Sequence, residues 1–252
     1  MTYLDLGDGL IITVDEQGDP DAGAVLLLHG GAGPRSVAGF ATTLAEQAHV
    51  LTPTHPGFDG SPRPDWLDSV TDLALAYLDL LDTLDLRDVL VVGNSVGGWI
   101  ASEMALHDTR GRVGRLVLVD AVGISGEIAD VASLSPAELG QLSFYNPALR
   151  PDPATLTDEQ RAAAAANMRT LATYAGDPYM HDPRLRRRLR RVTQPVLVVW
   201  GEADGVVTPV YGRTFAGAFP DADFELIAEA GHLPHLEQPE RTLAAIQRFA
   251  KP

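Results

Sequence analysis

The strongest chemical signal in the sequence is Gly93-Asn94-Ser95-Val96-Gly97-Gly98, which follows the apolar run Val89-Leu90-Val91-Val92 and precedes a helical pattern opening near Val96. A serine set in so sharp a strand-to-helix turn is held in a strained backbone conformation, and only glycines before and after it let the two backbones approach. The turn also presents Ser95 at a helix N-terminus, where unpaired N–H groups and the helix dipole favour negative charge. A serine hydroxyl is a poor nucleophile until a base removes its proton, and the base needs an orienting carboxylate. Both partners occur downstream at the ends of apolar runs: Asp204 in Trp200-Gly201-Glu202-Ala203-Asp204, and His232 in Ala230-Gly231-His232-Leu233. The other histidines have plainer readings. His29 closes a strand and suits a structural hydrogen bond, and His235, three residues past His232, is the base only if the motif is misaligned. His49, His107 and His181 are scattered and show no metal-ligand spacing.

Such residues need a rigid frame. Short β-branched runs alternate with longer helical patterns, which predicts a mostly parallel sheet with helices on both faces. The strands read as Leu10–Val14, Ala24–His29, His49–Pro53, Asp88–Gly93, Gly114–Asp120, Pro195–Trp200 and Phe224–Ala228. In Ser69–Leu84 the apolar Leu73, Tyr77, Leu80, Leu81 and Leu84 recur at helical spacing behind Ser69 as N-cap, and a last helix opens at Pro239 to bury Leu243, Ile246 and Phe249. From Gly123 to about Val192 no strand is evident, although a crossover between parallel strands needs only one helix and short loops. Ser135-Pro136-Ala137-Glu138 and Thr157-Asp158-Glu159-Gln160 fit the capping box, and Asp182-Pro183 fits an N-cap followed by proline. The middle helix is expected to pass Ala162–Ala166 and stop near Gly176. The expected organisation is a core of residues 1–122 and 193–252 with a helical lid of residues 123–192.

The order Ser95, Asp204, His232 and the surrounding motifs resemble those of serine hydrolases of the α/β-hydrolase superfamily, from about Ala24 to Phe249. The resemblance rests on the elbow at Ser95, on W-G-x-x-D ending at Asp204, and on G-H-x-x-x-x-E-x-P, completed by Glu237 and Pro239. It implies an α/β-hydrolase fold with a cap, a Ser95–His232–Asp204 triad, and an oxyanion hole formed by the N–H groups of Gly31 and Val96. Gly31 belongs to Leu28-His29-Gly30-Gly31-Ala32-Gly33-Pro34, which resembles the family's HG loop. Two departures stand out. In Thr54-His55-Pro56-Gly57-Phe58-Asp59-Gly60-Ser61, Thr54 replaces the usual Asp of D-x-x-G-x-G-x-S and Asp59 its second Gly. Some relatives place the acid after the preceding core strand, where this chain has Asp120; the flanks of Asp204 fit the motif better, so Asp204 is preferred and Asp120 is read as the end of its strand.

Composition narrows the chemistry. The 252 residues include no Cys, which removes disulfides, thiolate metal sites and a cysteine nucleophile. The net charge of −15 repels phosphate backbones and argues against nucleic acid as a partner. Arg184–Arg191 is the one basic cluster, and because Leu185, Leu189 and Val192 share a face it reads as a helix with a solvated arginine side. The apolar runs are strand-sized, with no membrane span, and Met1–Leu10 lacks the basic-then-apolar stretch of a signal peptide, so a cytoplasmic chain is expected. The expected activity is cofactor-free cleavage of a carboxylic ester or related small acyl compound through an acyl-enzyme, with no metal. Two alternatives remain. The Gly-Asn-Ser-x-Gly-Gly elbow also resembles that of C–C bond hydrolases acting on vinylogous diketone acids, and the fold can serve as a catalytically silent ligand receptor. Trp99, Phe144, Tyr145, Met168, Tyr174, Tyr179 and Met180 could line a pocket under the lid or equally hold the lid's own core.

Overall fold

A computed structural model describes residues 1–150 and 152–250; the last two residues of the expected core lie outside them. Its strands are β1 (Thr2–Asp5), β2 (Ile11–Gln17), β3 (Ala24–Leu28), β4 (His49–Thr54), β5 (Val89–Asn94), β6 (Val113–Val119), β7 (Val196–Gly201) and β8 (Ala222–Ile227). They form one sheet in the order β1-β2-β4-β3-β5-β6-β7-β8. From β4 across to β8 all neighbours are parallel, while β2 runs antiparallel to both β1 and β4. The seven expected strands are present with shifted ends. β1 was not expected, because it is a short, largely exposed edge strand with no apolar alternation. Its signal lies in the connection: Gly7, Asp8 and Gly9 all take positive φ (88°, 49° and 78°), a turn that returns the chain into β2.

The helices are α1 (Ala38–Leu44), α2 (Val70–Thr83), α3 (Val96–His107), α4 (Pro136–Ser143), α5 (Asp158–Ala175), α6 (Leu185–Arg188), α7 (Pro209–Ala216), α8 (Pro234–Glu237) and α9 (Pro239–Ala250). Strand pleating sends successive side chains to opposite faces. Leu26 and Leu28 of β3, with Leu116 and Leu118 of β6, face the core shared with α2, α3 and α7. Val25 and Leu27, with Val117 and Val119, face the core shared with α1 and α9. Each fully buried Leu or Val contributes about 1.5–3 kcal/mol of transfer free energy, so the double-sided central strands are the sheet's anchor. Ser69 caps α2, its Oγ accepting the Asp72 N–H at 3.1 Å, and Leu73, Tyr77, Leu80 and Leu81 are buried as the spacing requires. In α9 Ile246 is buried, whereas Leu243 and Phe249 are only partly covered against the same core.

Between β6 and β7 lie α4, α5 and α6 and, among the described residues, no strand. Both capping boxes form, at Ser135/Glu138 and Thr157/Gln160, and α5 stops at Gly176 with φ 70°. Asp182-Pro183 does not open a helix. Asp182 Oδ1 accepts the Arg184 N–H at 2.7 Å in a turn, and α6 starts only at Leu185. Leu185, Leu189 and Val192 are buried, but the arginine side is not uniformly solvated: Arg188 donates to the buried Glu103 of α3 at 2.7 Å.

The departure at Asp59 has a structural reason. Asp59 sits in the left-handed region (φ 48°, ψ 34°), which Asp tolerates better than most residues, and there it docks α5. Its N–H donates to Asn167 Oδ1 at 2.8 Å, and Asn167 Nδ2 donates to its Oδ1 at 2.9 Å. Thr170 Oγ donates to the Gly57 carbonyl at 2.8 Å and Tyr174 OH to the Pro56 carbonyl at 2.9 Å. Asn167→Ala removes both hydrogen bonds between Asp59 and α5. It is expected to cost on the order of 1–3 kcal/mol, read as a lower urea midpoint with an unchanged m-value.

Candidate active site

In the sheet, β4 and β5 lie on opposite sides of β3. The chain leaving β3 continues into α1 on one face and the chain leaving β5 into α3 on the other, which opens a crevice at their carboxyl ends, the usual ligand site of an open α/β sheet. Ser95 stands there with φ 51° and ψ −116°, a conformation costly for a residue with a Cβ. The glycines around it are obligatory. A Cβ at Gly93 would lie 2.3 Å from the Gly97 carbonyl oxygen, and one at Gly97 would lie 2.4 Å from that of Leu28. The turn is thus wedged against the end of β3 by backbone alone. The Ser95 N–H donates to the Val119 carbonyl at 2.9 Å, and its own carbonyl accepts from Val122 at 3.3 Å, tying it to the end of β6.

The loop after β3 is held by two buried histidines. Since His29 Nε2 accepts the His55 N–H at 3.1 Å, its Nδ1 carries the proton and donates to the Gly30 carbonyl at 2.7 Å. His55 Nε2 donates to the His29 carbonyl at 2.9 Å, so its Nδ1 accepts from Tyr77 OH at 2.5 Å. Every ring nitrogen has a role that only the neutral imidazoles can fill. Burial, opposed by the Gly30 carbonyl, holds His29 down at about 4, and burial together with His29 keeps His55 well below the usual histidine range. His29 is therefore structural, as expected. His235 is structural too: its Nε2 meets the Ser36 carbonyl at 3.1 Å and burial lowers it to about 4.

Asp204 and His232 are brought together from the loops after β7 and β8. His232 Nδ1 donates to Asp204 Oδ2 at 2.8 Å, while Asp204 Oδ1 accepts the N–H groups of Val206 and Val207 at 2.8 and 3.0 Å. With both carboxylate oxygens occupied, the acid has one orientation. The loops approach so closely that a Cβ at Gly201 would lie 1.9 Å from the Gly231 carbonyl oxygen. α4 braces the pair, since the Ser143 carbonyl accepts the His232 N–H at 2.8 Å and the Leu142 carbonyl accepts that of Gly205 at 3.0 Å.

Ser95 and His232 line one cavity of about 140 Å³ together with Gly31. No hydrogen bond joins the Ser95 hydroxyl to His232; such contacts are often long without substrate and tighten in the complex. The Gly31 and Val96 N–H groups make no hydrogen bond to the described residues, Val96 because it is the first residue of α3. Met168, Leu171 and Met180 also line it. The other aromatic candidates serve packing or lie outside: Tyr174 docks α5, Trp99 and Phe144 are buried in the core or away from the cavity lining, and Tyr145 is half-exposed.

Three features were not assigned from the sequence. Glu237 is more than a motif letter, because its carboxylate accepts the N–H groups of Gly231, Tyr145 and Asn146 at 2.6, 3.1 and 2.7 Å and fixes the His232 loop to the chain after α4. Asn94, beside the nucleophile candidate, lines the cavity with a buried Nδ2 that has no partner. Asp120 is fully buried at φ 45° beneath Asp204, its Oδ1 accepting the Gly201 N–H at 2.9 Å. One nitrogen or oxygen from each of Asp120, Asp204 and His232 lies within 4.8 Å of the others, a spacing that hydrogen bonding between the groups accounts for.

The pattern of the alpha/beta hydrolase family matches residues 25–245, and the chain belongs to that family. It is 28% identical to a pimeloyl-acyl-carrier-protein methyl ester esterase of Aromatoleum aromaticum, over 88% of this chain and 96% of that protein. It is also 28% identical to a 2-hydroxy-6-oxononadienedioate/2-hydroxy-6-oxononatrienedioate hydrolase of Burkholderia vietnamiensis, over 90% and 87%. Among solved structures, a bacterial membrane phospholipase A superposes with a TM-score of 0.82 at 25% identity, covering 98% of this chain and 84% of that one. Among the described residues of the present chain no helix is long and apolar enough to cross a membrane.

If Asp204 orients His232, Asp204→Asn leaves the wrong tautomer facing the serine and is expected to lower kcat by about 10⁴, as in the well-studied serine protease case. Asp120→Asn, which keeps an acceptor for the Gly201 N–H, is expected to keep turnover within about tenfold. The reverse ranking in steady-state assays would move the acid to Asp120.

Proposed function

We propose that the protein is a serine hydrolase that cleaves esters of short, uncharged acyl groups through an acyl-enzyme. Ser95 Oγ attacks the carbonyl carbon as His232 Nε2 takes its proton, and Asp204 holds the Nδ1–H and stabilises the imidazolium. The developing oxyanion is received by the free N–H groups of Gly31 and Val96, the latter at the positive end of α3. His232 returns the proton to the leaving alcohol, and water then hydrolyses the acyl-enzyme by the same base. The observation that carries this reading is the Asp204–His232 pair opening onto the cavity that Ser95 also lines.

The cavity supports the substrate class. Among the described residues its lining holds no Lys, Arg, Asp or Glu, and its walls are mostly Val, Ile, Leu and Met side chains. A charged acyl group would lose its hydration without a lysine or arginine among the described lining residues to pair with it. At about 140 Å³ it falls below the roughly 300–1,000 Å³ usual for drug-sized ligands. These properties weigh against the C–C hydrolase alternative, whose diketone acid would bury a carboxylate with no cation beside it.

A fluorophosphonate should leave one adduct on Ser95, located by peptide mass spectrometry; a folded sample with no adduct there removes the mechanism. Ligand-induced stabilisation without product would instead favour a silent receptor. Short p-nitrophenyl esters should turn over well and a ring-cleavage dienoate poorly. Leu171→Ala, which enlarges the cavity beside Gly31, should shift the preference toward longer acyl chains by about tenfold or more in kcat/KM ratio, the scale set by a few methylenes in an apolar pocket.

A further inference from the structure

Asp120 has the position of an alternative acid, yet its surroundings suit a different task. It is fully buried, and its Oδ1 already takes the Gly201 N–H at 2.9 Å. As a carboxylate its Oδ2 would be a buried acceptor without any donor. The group it faces is the Asp204 side chain, itself an acceptor for Val206, Val207 and His232. Two buried carboxylates within 4.8 Å of each other disfavour ionisation of both. Asp204 has three donors that favour its charge and Asp120 has one, so the proton belongs on Asp120.

We propose that Asp120 is a positioning residue: its carboxyl carries a proton, accepts the Gly201 N–H with one oxygen and donates from the other to Asp204, so that the pair presents one negative charge to His232. The proton closes the network, turning an orphaned acceptor into the fourth hydrogen bond on Asp204. It also joins β6 to the acid loop, since the Gly201 amide that Asp120 holds is the last residue of β7. Burial, reinforced by the neighbouring Asp204 charge and more weakly by Glu237, keeps Asp120 well above the usual carboxylate range, with the Gly201 N–H opposing. Asp204, His232 and Glu237 are the titratable groups that bear on it.

This inference rests on reading Asp204 and His232 as acid and base, but the proton itself can be observed without any substrate. Infrared difference spectra of wild type against Asp120→Asn at neutral pH should contain the carbonyl stretch of a protonated carboxylic acid in the wild type alone. A carboxyl that binds its proton more tightly folded than unfolded makes stability fall as pH rises above the unfolded value of about 3.9. The melting temperature of Asp120→Asn relative to wild type should therefore climb between about pH 4 and 8. Absence of the band, or a pH-independent difference, overturns the protonated state. For positioning, Asp120→Ala should lower kcat by about 10- to 100-fold with little change in KM, and Asp120→Asn, which keeps an acceptor and a donor, should restore most of it. Equal losses in the two variants overturn the positioning role. Should Ser95 resist the phosphonate while band and slope are present, the reading of the site falls and the protonated pair stands; a labelled Ser95 with neither band nor slope removes this inference alone.

Discussion

The site depends on backbone contacts too close to admit a side chain. Gly97 lies against the Leu28 carbonyl, Gly93 against that of Gly97, and Gly201 against that of Gly231. Each pins a loop that carries a candidate reactive group to the end of a strand buried on both faces. The geometry of the site is therefore set by the sheet spacing, and the side chains only need to fill positions already fixed. Strain at Ser95 and Asp120, both at positive φ, is tolerated because the flanking strands are among the most buried parts of the chain.

A second layer of order comes from polar side chains with fixed hydrogen-bond partners. The His29–His55–Tyr77 chain ends on the carbonyl of Gly30, next to the free N–H of Gly31. Glu237 collects three N–H groups from two loops. Losing one member of the fully buried His29–His55–Tyr77 chain would be costly, because the polar atoms left behind would have no partner. Among the described residues the Gly31 and Val96 N–H groups have no hydrogen-bond partner.

Much of this was legible in the sequence because it is local. The Ser95 turn, the two capping boxes and the Ser69 cap depend on residues within a few positions of each other, and all four form. Family motifs placed Asp204 and His232, whose pairing joins two loops. What stayed hidden depends on contacts far apart in the chain. Asp120 meets Gly201 across 81 positions and Asn167 meets Asp59 across 108, and neither pairing leaves a periodic signature. Edge strand β1 escaped for the opposite reason: so little of it is buried that no apolar pattern was required. The Asp182-Pro183 pair misled because Asp before Pro suits a turn as well as a helix start.

The docking of α5 also bears on how this architecture can be re-engineered. Asp59 and Asn167 exchange two hydrogen bonds across the boundary between the core and the intervening helices, with Thr170 and Tyr174 adding two more to the same loop. A 123–192 segment without an Asn at position 167 would remove both of these bonds and leave the N–H of the left-handed aspartate without its partner on α5. The loop at 54–61 and helix α5 behave as one cassette, to be exchanged together or not at all.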